Sequence, residues 1–246
     1  LLGDLIDRIP EFVPRLADDE LLGQIRDGEA ETSHLVGLLD SRPDPDAKIG
    51  TIRRMTRRRK LRIAARDILG EADTVATLRA LTESADAAVA GALHVVTSGD
   101  PTGFCVVAMG KWGGGDLSYG SDLDLMYVFG DESQRDESFR IATDLARVLS
   151  EPSRHGDAYS LDADLRPEGR KGPLARSLES FRRYYEEWAE PWEMLALVNL
   201  TGYGDRLDRA IELAHESGVA GDPLVQSEIA WLDAELRGLE VTNLRL

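Results

Sequence analysis

Apolar residues recur every three or four positions through much of the first 98 residues, which is the period of a helix with one buried face. The clearest face joins Leu78, Leu81, Ala85, Ala88, Ala92 and Val96. The stretch SRPDPD at 41–46 interrupts the pattern, because prolines among polar residues favour a connection between helices. The pattern predicts a helical N-terminal segment over residues 1–98.

The period changes after TSGDPTG at 97–103, where glycine and proline break the helical pattern. FCVVAM at 104–109 is a continuous apolar run, and LDLMYVF at 123–129 alternates at its start and then stays apolar. Both runs are rich in residues that favour strands, so two strands are predicted with a glycine-rich stretch between them.

A third strand is predicted for AYSLDADL at 158–165, whose apolar residues alternate with Ser160, Asp162 and Asp164. A helix is predicted before it, at about 137–149, from apolar residues that share one helical face. Strands and helices mixed in this way predict an α+β core.

Helical spacing returns after Ser177, and an aromatic stripe there is predicted to be buried core; its members are Leu178, Phe181, Tyr185, Trp188, Trp192 and Leu195. TGYGD at 201–205 is predicted to turn the chain, with further helix after it. The predicted organisation is a helical N-terminal segment at 1–98, a catalytic core at 99–205 and a helical C-terminal segment at 206–246.

The segment RRMTRRRKLR at 53–62 carries seven positive side chains in ten residues. A solvated helix face is the simpler interpretation of such a run. The alternative is a patch that meets an acidic partner or the phosphates of a nucleotide.

The composition narrows the possible functions. The 246 residues include 45 acids against 29 lysines and arginines, a formal net charge of −16, which argues against a general nucleic-acid binder. No apolar run is long enough to span a bilayer.

Cys105, the single cysteine, cannot form an intrachain disulfide, so we expect a cytoplasmic protein. Because the chain begins at Leu1, we expect a piece of a longer protein.

Asp122 and Asp124 lie two apart on a predicted strand and therefore point to the same face. Asp162, on the third predicted strand, adds a third carboxylate if that strand lies beside residues 123–129. Oxygen ligands of this kind suit Mg²⁺ or Mn²⁺, and three such acids can hold two metal ions for an in-line displacement. The alternative interpretation is a glycine-rich turn followed by solvent-exposed acids.

The glycines of GKWGGGDLSYGSDLDLMYVF, residues 110–129, suggest a use for such metals. A loop without side chains lets backbone N–H groups approach a triphosphate, and a helix that starts there adds the positive end of its dipole. Gly113 and Gly114 are the candidates for this approach, and Ser121 could add a hydroxyl.

This combination resembles the nucleotidyltransferase superfamily typified by DNA polymerase beta, and residues 110–129 resemble the signature of bacterial glutamine synthetase adenylyltransferases. Three further blocks are similar to that family: RRRKLRIAARDILG at 57–70, DADLRPEGRKGPL at 162–174 and SLESFRRYYEEWAEPWEMLAL at 177–197. The resemblance implies a polymerase-beta-like core, a small mixed sheet with helices, between mainly helical segments.

The resemblance also implies a reaction, in which AMP from ATP is transferred to a tyrosine hydroxyl of glutamine synthetase. Members of the family carry two related nucleotidyltransferase domains, of which one attaches AMP and the other removes it by phosphorolysis. This sequence looks more like the attaching domain of actinobacterial members. Glutamine synthetase, a PII-type signalling protein and the second domain are the implied partners, with no membrane and no nucleic acid.

By position in the motif, Asp122 and Asp124 would bind both metals, and Asp162 would bind the catalytic metal and accept the tyrosine proton. Gly113, Gly114 and Ser121 would contact the β- and γ-phosphates. Lys111 and Arg166 are further candidates for phosphate binding, although Arg166 could equally cap a helix or form a salt bridge.

Three rival functions stay open at this point. The first is the removing reaction, in which inorganic phosphate attacks the adenylylated tyrosine. The second is a nucleotidyltransferase that acts on a nucleic acid or a small hydroxyl acceptor. The third is a non-catalytic domain that binds nucleotide or protein partners.

Overall fold

The computed structural model describes residues 26–101, 103–152, 156–190 and 201–204, together with the single residues 23, 193 and 197. It is a mixed α/β structure in which a small mixed sheet lies between layers of helix. The predicted helix in 206–246, together with Trp192 and Leu195 of the aromatic stripe, lies outside these described residues.

Three long helices precede the sheet, and they confirm the helical prediction for the described part of 1–98. They are α1 (Gly28–Asp40), α2 (Pro45–Ile68) and α3 (Thr74–Val96). Each begins after an aspartate whose carboxylate accepts a hydrogen bond from a backbone N–H of the first turn, at 2.7–2.8 Å. Pro45 suits the first position of α2 because its missing N–H would have no partner there.

The sheet contains five strands: β1 (Phe104–Ala108), β2 (Leu123–Phe129), β3 (Leu161–Asp162), β4 (Ala175–Ser177) and β5 (Thr201–Gly204). β1 runs antiparallel to both β2 and β5. β2 pairs in parallel with β3 near its start and with β4 near its end. The two strands predicted at 104–109 and 123–129 are confirmed.

One prediction along the sheet held only in part and another was wrong. The strand predicted over 158–165 is only two residues long, because the backbone N–H of Asp164 donates to Oδ1 of Asp162 at 2.8 Å and turns the chain. The turn predicted at 201–205 is instead strand β5 over Thr201–Gly204, since β1 offers its edge as a partner.

Three further helices complete the described fold: α4 (Gly110–Gly113), α5 (Arg135–Ser150) and α6 (Leu178–Glu187). Short 3₁₀ turns lie at Glu132–Gln134 and Gly169–Lys171. The helix predicted at about 137–149 is confirmed as α5.

The predicted aromatic stripe is buried only in part. Phe181 and Tyr185 of α6 are buried, whereas Trp188 is 64% exposed. Because α6 ends at Glu187, helical spacing no longer sets the direction of Trp188.

Both faces of the sheet are covered, which explains why β1 and β2 read as continuous apolar runs. One face packs with helices α1, α2, α3 and α5 in a cluster that includes Leu39, Ile52, Val89, Val106, Leu125 and Leu145. The other face packs against α6 in a cluster that includes Cys105, Val107, Met126, Val128, Phe181 and Tyr185. No helix in the described part of the chain is long and apolar enough to cross a membrane.

The arginine-rich segment is not a solvated face throughout, which corrects the simpler prediction. The side chains of Arg53, Arg57 and Arg59 are buried. Arg53 donates to carbonyl oxygens at the end of α5 and beyond it, those of Arg147, Val148 and Gly156. Arg59 forms ion pairs with Glu31 at 3.2 Å and with Glu83 at 3.0 Å. These side chains are buried because they connect α2 to its neighbours.

Candidate functional site

Two of the predicted carboxylates lie on neighbouring strands. Asp124 of β2 is the register partner of Asp162 of β3, so their side chains start from facing positions on the sheet. Leu123 and Leu125 on either side of Asp124 are fully buried, which turns the aspartate to the opposite face. Asp122 is exposed and immediately precedes β2.

The three acids concentrate negative charge at one end of the sheet. Burial raises the pKa of Asp124, and the negative charges of Asp162 and Asp122 raise it further. Lys111, exposed on α4, acts in the opposite direction by lowering that pKa. A cation bound among these carboxylates would relieve their mutual repulsion.

The carboxylates do not form a closed cage. Over the residues that the structure describes, no three His, Cys, Asp or Glu side chains are close enough to form a metal-binding cluster. An open set of carboxylates still fits Mg²⁺ or Mn²⁺, which keep water or substrate phosphate oxygens as their remaining ligands. Asp162 already uses Oδ1 to accept the N–H of Asp164, and this hydrogen bond fixes its orientation.

Gly110 is a residue of the site that the sequence analysis missed. Its φ is +55°, in the left-handed region, and a Cβ atom there would lie 2.6 Å from Oδ2 of Asp124. A side chain at this position would therefore displace the carboxylate. The available signal was a glycine directly after the first predicted strand.

Gly113 and Gly114 end a helix instead of starting one. α4 begins at Gly110; Gly113 is its last residue and Gly114 follows as its cap. The N–H of Gly113 donates to the carbonyl of Met109 at 2.9 Å, and that of Gly114 to the carbonyl of Gly110 at 3.0 Å. The helix start nearest to Asp124 is therefore at Gly110, and the role of Gly113 and Gly114 in phosphate binding stays a prediction.

The segment between β1 and β2 is held against the long helices by three hydrogen bonds. They are Trp112 Nε1 to Asp86 Oδ1 at 2.8 Å, Leu117 N to Thr82 Oγ1 at 3.1 Å and Tyr119 Oη to Asp67 Oδ2 at 3.2 Å. Trp112 is also fully buried. Helices α2 and α3 thus fix the segment that leads into Asp122.

The remaining predicted residues differ in their surroundings. The hydroxyl of Ser121 lies 2.7 Å from that of Ser118. Arg166 donates to the carbonyl oxygens of Ala163 at 2.7 Å and Gly172 at 3.4 Å, which is a structural use of its guanidinium. The role of both Ser121 and Arg166 toward phosphate stays a prediction.

Comparison with known proteins gives a consistent picture. A family model described as glutamate-ammonia ligase adenylyltransferase matches residues 1–205. Proteins named bifunctional glutamine synthetase adenylyltransferase/adenylyl-removing enzyme are similar to the chain in several actinobacteria. The protein of Cutibacterium acnes is 38% identical over 92% of this chain, and that of Mycolicibacterium smegmatis is 37% identical over 80%. That of Streptomyces coelicolor is 40% identical over 60%.

The chain spans 23% of the length of the Cutibacterium protein and 21% of the Mycolicibacterium protein. The family model, in contrast, covers most of this chain, including every predicted site residue. The chain therefore belongs to the glutamate-ammonia ligase adenylyltransferase family.

Proposed function

We propose that this chain is a nucleotidyltransferase with a polymerase-beta-like core that transfers AMP from ATP to a tyrosine hydroxyl of glutamine synthetase. The observation that carries the proposal is the register of β2 and β3, which sets Asp124 opposite Asp162 with Asp122 beside them. Membership of a family whose relatives are named for this activity supports it.

Asp122, Asp124 and Asp162 are the residues that would hold Mg²⁺ or Mn²⁺. When bound there, the cation would neutralise charge on the triphosphate and polarise the phosphoryl group that is transferred. Gly110 leaves the space that Asp124 needs, and Asp164 orients the carboxylate of Asp162.

In the proposed reaction the tyrosine oxygen forms a bond to the α-phosphorus of ATP. The bond from that phosphorus to the oxygen bridging to the β-phosphate breaks, and pyrophosphate leaves. The tyrosine proton passes to a carboxylate oxygen of Asp162, which acts as general base. Lys111, exposed near Asp124, and the phosphate-binding candidates Gly113, Gly114, Ser121 and Arg166 would contact the nucleotide.

The partners follow from the same proposal. Glutamine synthetase is the protein substrate, and a second nucleotidyltransferase domain would belong to the longer protein, because the relatives are about four times the length of the matched region. A PII-type signalling protein would bias the attaching reaction against the removing one.

The direct test is transfer of label from α-labelled ATP to unmodified glutamine synthetase in the presence of Mg²⁺ or Mn²⁺. The wild-type chain should label the synthetase, and the double variant Asp122→Asn with Asp124→Asn should not. The matched control is Asp46→Asn with Asp136→Asn, which removes the same charge from exposed positions on α2 and α5. This control should label the synthetase at the wild-type rate.

A second assay addresses the removing reaction that the relatives' names also include. Adenylylated synthetase, inorganic phosphate and the chain are mixed, and ADP release is measured. ADP release without any labelling in the first assay would overturn the proposed direction. Absence of both reactions would overturn the proposal for this chain.

A further inference from the structure

A small cavity of about 50 Å³ is bounded by the turn that leads into Asp122, and apart from Ser121 its residues have no role in the reaction described above. Lys60 of α2 lines one side, and Ser118 to Ser121, the turn that leads into Asp122, line another. Tyr159 adds an aromatic wall. The volume suits a group as small as one phosphate and is far below the roughly 300 Å³ of pockets that enclose whole ligands.

Lys60 places a cationic group in this cavity without a direct anionic partner. Its Nζ donates to the carbonyl oxygen of Ala158 at 2.9 Å and lies 3.4 Å from the centre of the Tyr159 ring. Among the described residues, these contacts are a carbonyl and an aromatic face, and no carboxylate is within hydrogen-bonding distance of Nζ. Burial lowers the pKa of Lys60 to about 7, with the charge of Asp157 opposing the change.

The cavity also offers hydroxyl donors. The hydroxyl groups of Ser118 and Ser121 lie 2.7 Å apart and share one hydrogen bond, which leaves a proton of the pair for another acceptor. The ammonium of Lys60 and this remaining hydroxyl proton are donors of the kind that a tetrahedral oxyanion accepts. Ser121 directly precedes Asp122 in the chain, so one short turn joins this cavity to the acidic site.

We propose that this cavity is a phosphate subsite, in which the ammonium of Lys60 and the hydroxyls of Ser118 and Ser121 bind a single phosphate group. The group is either the terminal phosphate of a nucleotide whose remainder lies outside the cavity, or free inorganic phosphate. Identification of the nucleotide with ATP rests on the proposed function. The phosphate subsite itself rests on the residues of the cavity alone.

The test compares four forms of the whole chain: wild type, Lys60→Met, Lys60→Gln and the control Lys48→Met. Gln keeps a neutral N–H donor on a side chain one atom shorter, so it separates the loss of charge from the loss of every donor at this position. Lys48 lies on the same helix, about 18 Å from Lys60 along its axis. The Lys48→Met substitution therefore removes the same charge away from the cavity. Circular dichroism and thermal unfolding establish that each form is folded.

Binding of inorganic phosphate, AMP and ATP is measured by titration calorimetry with Mg²⁺ present. Both Lys60 variants should bind inorganic phosphate at least about 10-fold more weakly than wild type, since a hydrogen bond to a charged group is lost. ATP affinity should fall by the same factor if the cavity takes the γ-phosphate and should not change if it takes free phosphate. AMP affinity should not change in either case, because AMP carries only the α-phosphate. If ATP and inorganic phosphate compete, the cavity holds the terminal phosphate of the nucleotide. If they bind independently, the cavity holds free inorganic phosphate.

Equal phosphate and ATP affinities in the Lys60 and Lys48 variants would overturn the subsite. If wild type still labels glutamine synthetase in that case, the proposed function stands without it. If phosphate binding depends on Lys60 but neither adenylylation nor phosphorolysis occurs, the subsite stands and the proposed function fails.

Discussion

At the scale of single residues, the position of the Asp124 carboxylate depends on the absence of a side chain at Gly110. The expected Cβ contact of 2.6 Å involves the carboxylate oxygen itself. We expect Gly110→Ala to destabilise the protein by about 1 kcal/mol through its positive φ, and also to lower AMP transfer by displacing Asp124. Urea denaturation and the labelling assay measure the two effects.

Gly115→Ala is the matched control for this prediction. Gly115 lies in the same segment with φ of +81°, but no atom lies within 4 Å of its hypothetical Cβ. The Gly115→Ala variant should lose a similar free energy of unfolding and should transfer AMP at the wild-type rate. Equal transfer rates for the two variants would show that Gly110 does not shape the site.

Lys60 should make stability depend on pH. Its pKa is about 7 in the folded chain, whereas lysine in an unfolded chain titrates near 10.4. Between these values the unfolded chain binds one more proton, so the free energy of unfolding rises as pH increases from 7 to about 10. Below pH 7 both states are protonated, and the full destabilisation by the buried charge is present.

The measurement is urea denaturation of wild type and Lys60→Met from pH 6 to 10. Asp157 attracts the ammonium and Arg57 repels it, and both remain in the variant. The advantage of Lys60→Met should be largest at pH 6–7 and should shrink by about 1–3 kcal/mol toward pH 10, a range reduced for partial solvent access. A constant difference across this range would contradict the assigned pKa.

At the scale of elements, the contact between α2 and the end of α5 depends on one buried guanidinium. Arg53 donates to the carbonyls of Val148 and Arg147 at the end of α5 and to that of Gly156 beyond it. We expect Arg53→Met to lower the free energy of unfolding by about 3 kcal/mol, because buried carbonyls would lose their donors. Chemical denaturation measures this loss.

Arg147, an exposed residue of α5, provides the comparison. Its guanidinium forms an ion pair with Asp144 of its own helix, at 3.3 Å. Arg147→Met should therefore cost less than about 1 kcal/mol. If the two substitutions cost the same, the connection between α2 and α5 is not what stabilises the fold.

The elements that could be predicted from the sequence are those whose own residues decide their structure. β2 is apolar because both sheet faces are covered, and its limits matched the prediction at 123–129. β5 could not be predicted, since the edge of β1 supplies its partner. The buried arginines were misread for a similar reason, because their acceptors are up to about a hundred residues away in the chain.

The residues of the candidate site fall into the same two groups, those that their local sequence predicts and those that depend on distant contacts. The Asp-x-Asp spacing predicted that Asp122 and Asp124 belong to the site. The alternation of apolar and polar residues at 158–165 predicted the same for Asp162. Gly110 was missed, and Lys60 was included only as one of the seven cations of residues 53–62, because the importance of both arises from atoms that only the fold brings near them. The spacing of Gly113 and Gly114 suggested a helix start, whereas the helix already begins at Gly110.

At the scale of the whole molecule, one hydrophobic cluster joins the long helices to the sheet. It contains Leu39, Ile52 and Val89 from the N-terminal helices beside Val106 and Leu125 from the strands. We expect residues 99–246 expressed alone to lack a cooperative unfolding transition, because removal of 1–98 would expose this cluster to water. Thermal unfolding followed by circular dichroism tests the expectation.

Adding the separate piece 1–98 provides the counterpart experiment. Restoration of a cooperative transition by the mixture would indicate that the cluster, and not a nonspecific defect of the shorter chain, accounts for the loss. Cooperative unfolding of 99–246 alone would support the division at residue 98 as a true domain boundary.

The burial of Cys105 has a practical consequence. It is the only thiol of the chain, it is 4% exposed, and it lies in β1 between two paired strands. Its side chain packs in the cluster that α6 covers. A thiol-reactive dye can reach it only when α6 separates from this face or the sheet opens, so the labelling rate at low denaturant reports how often such opening occurs. The labelling rate of the native chain therefore measures local opening around Cys105, and a ligand that stabilises the fold should lower that rate.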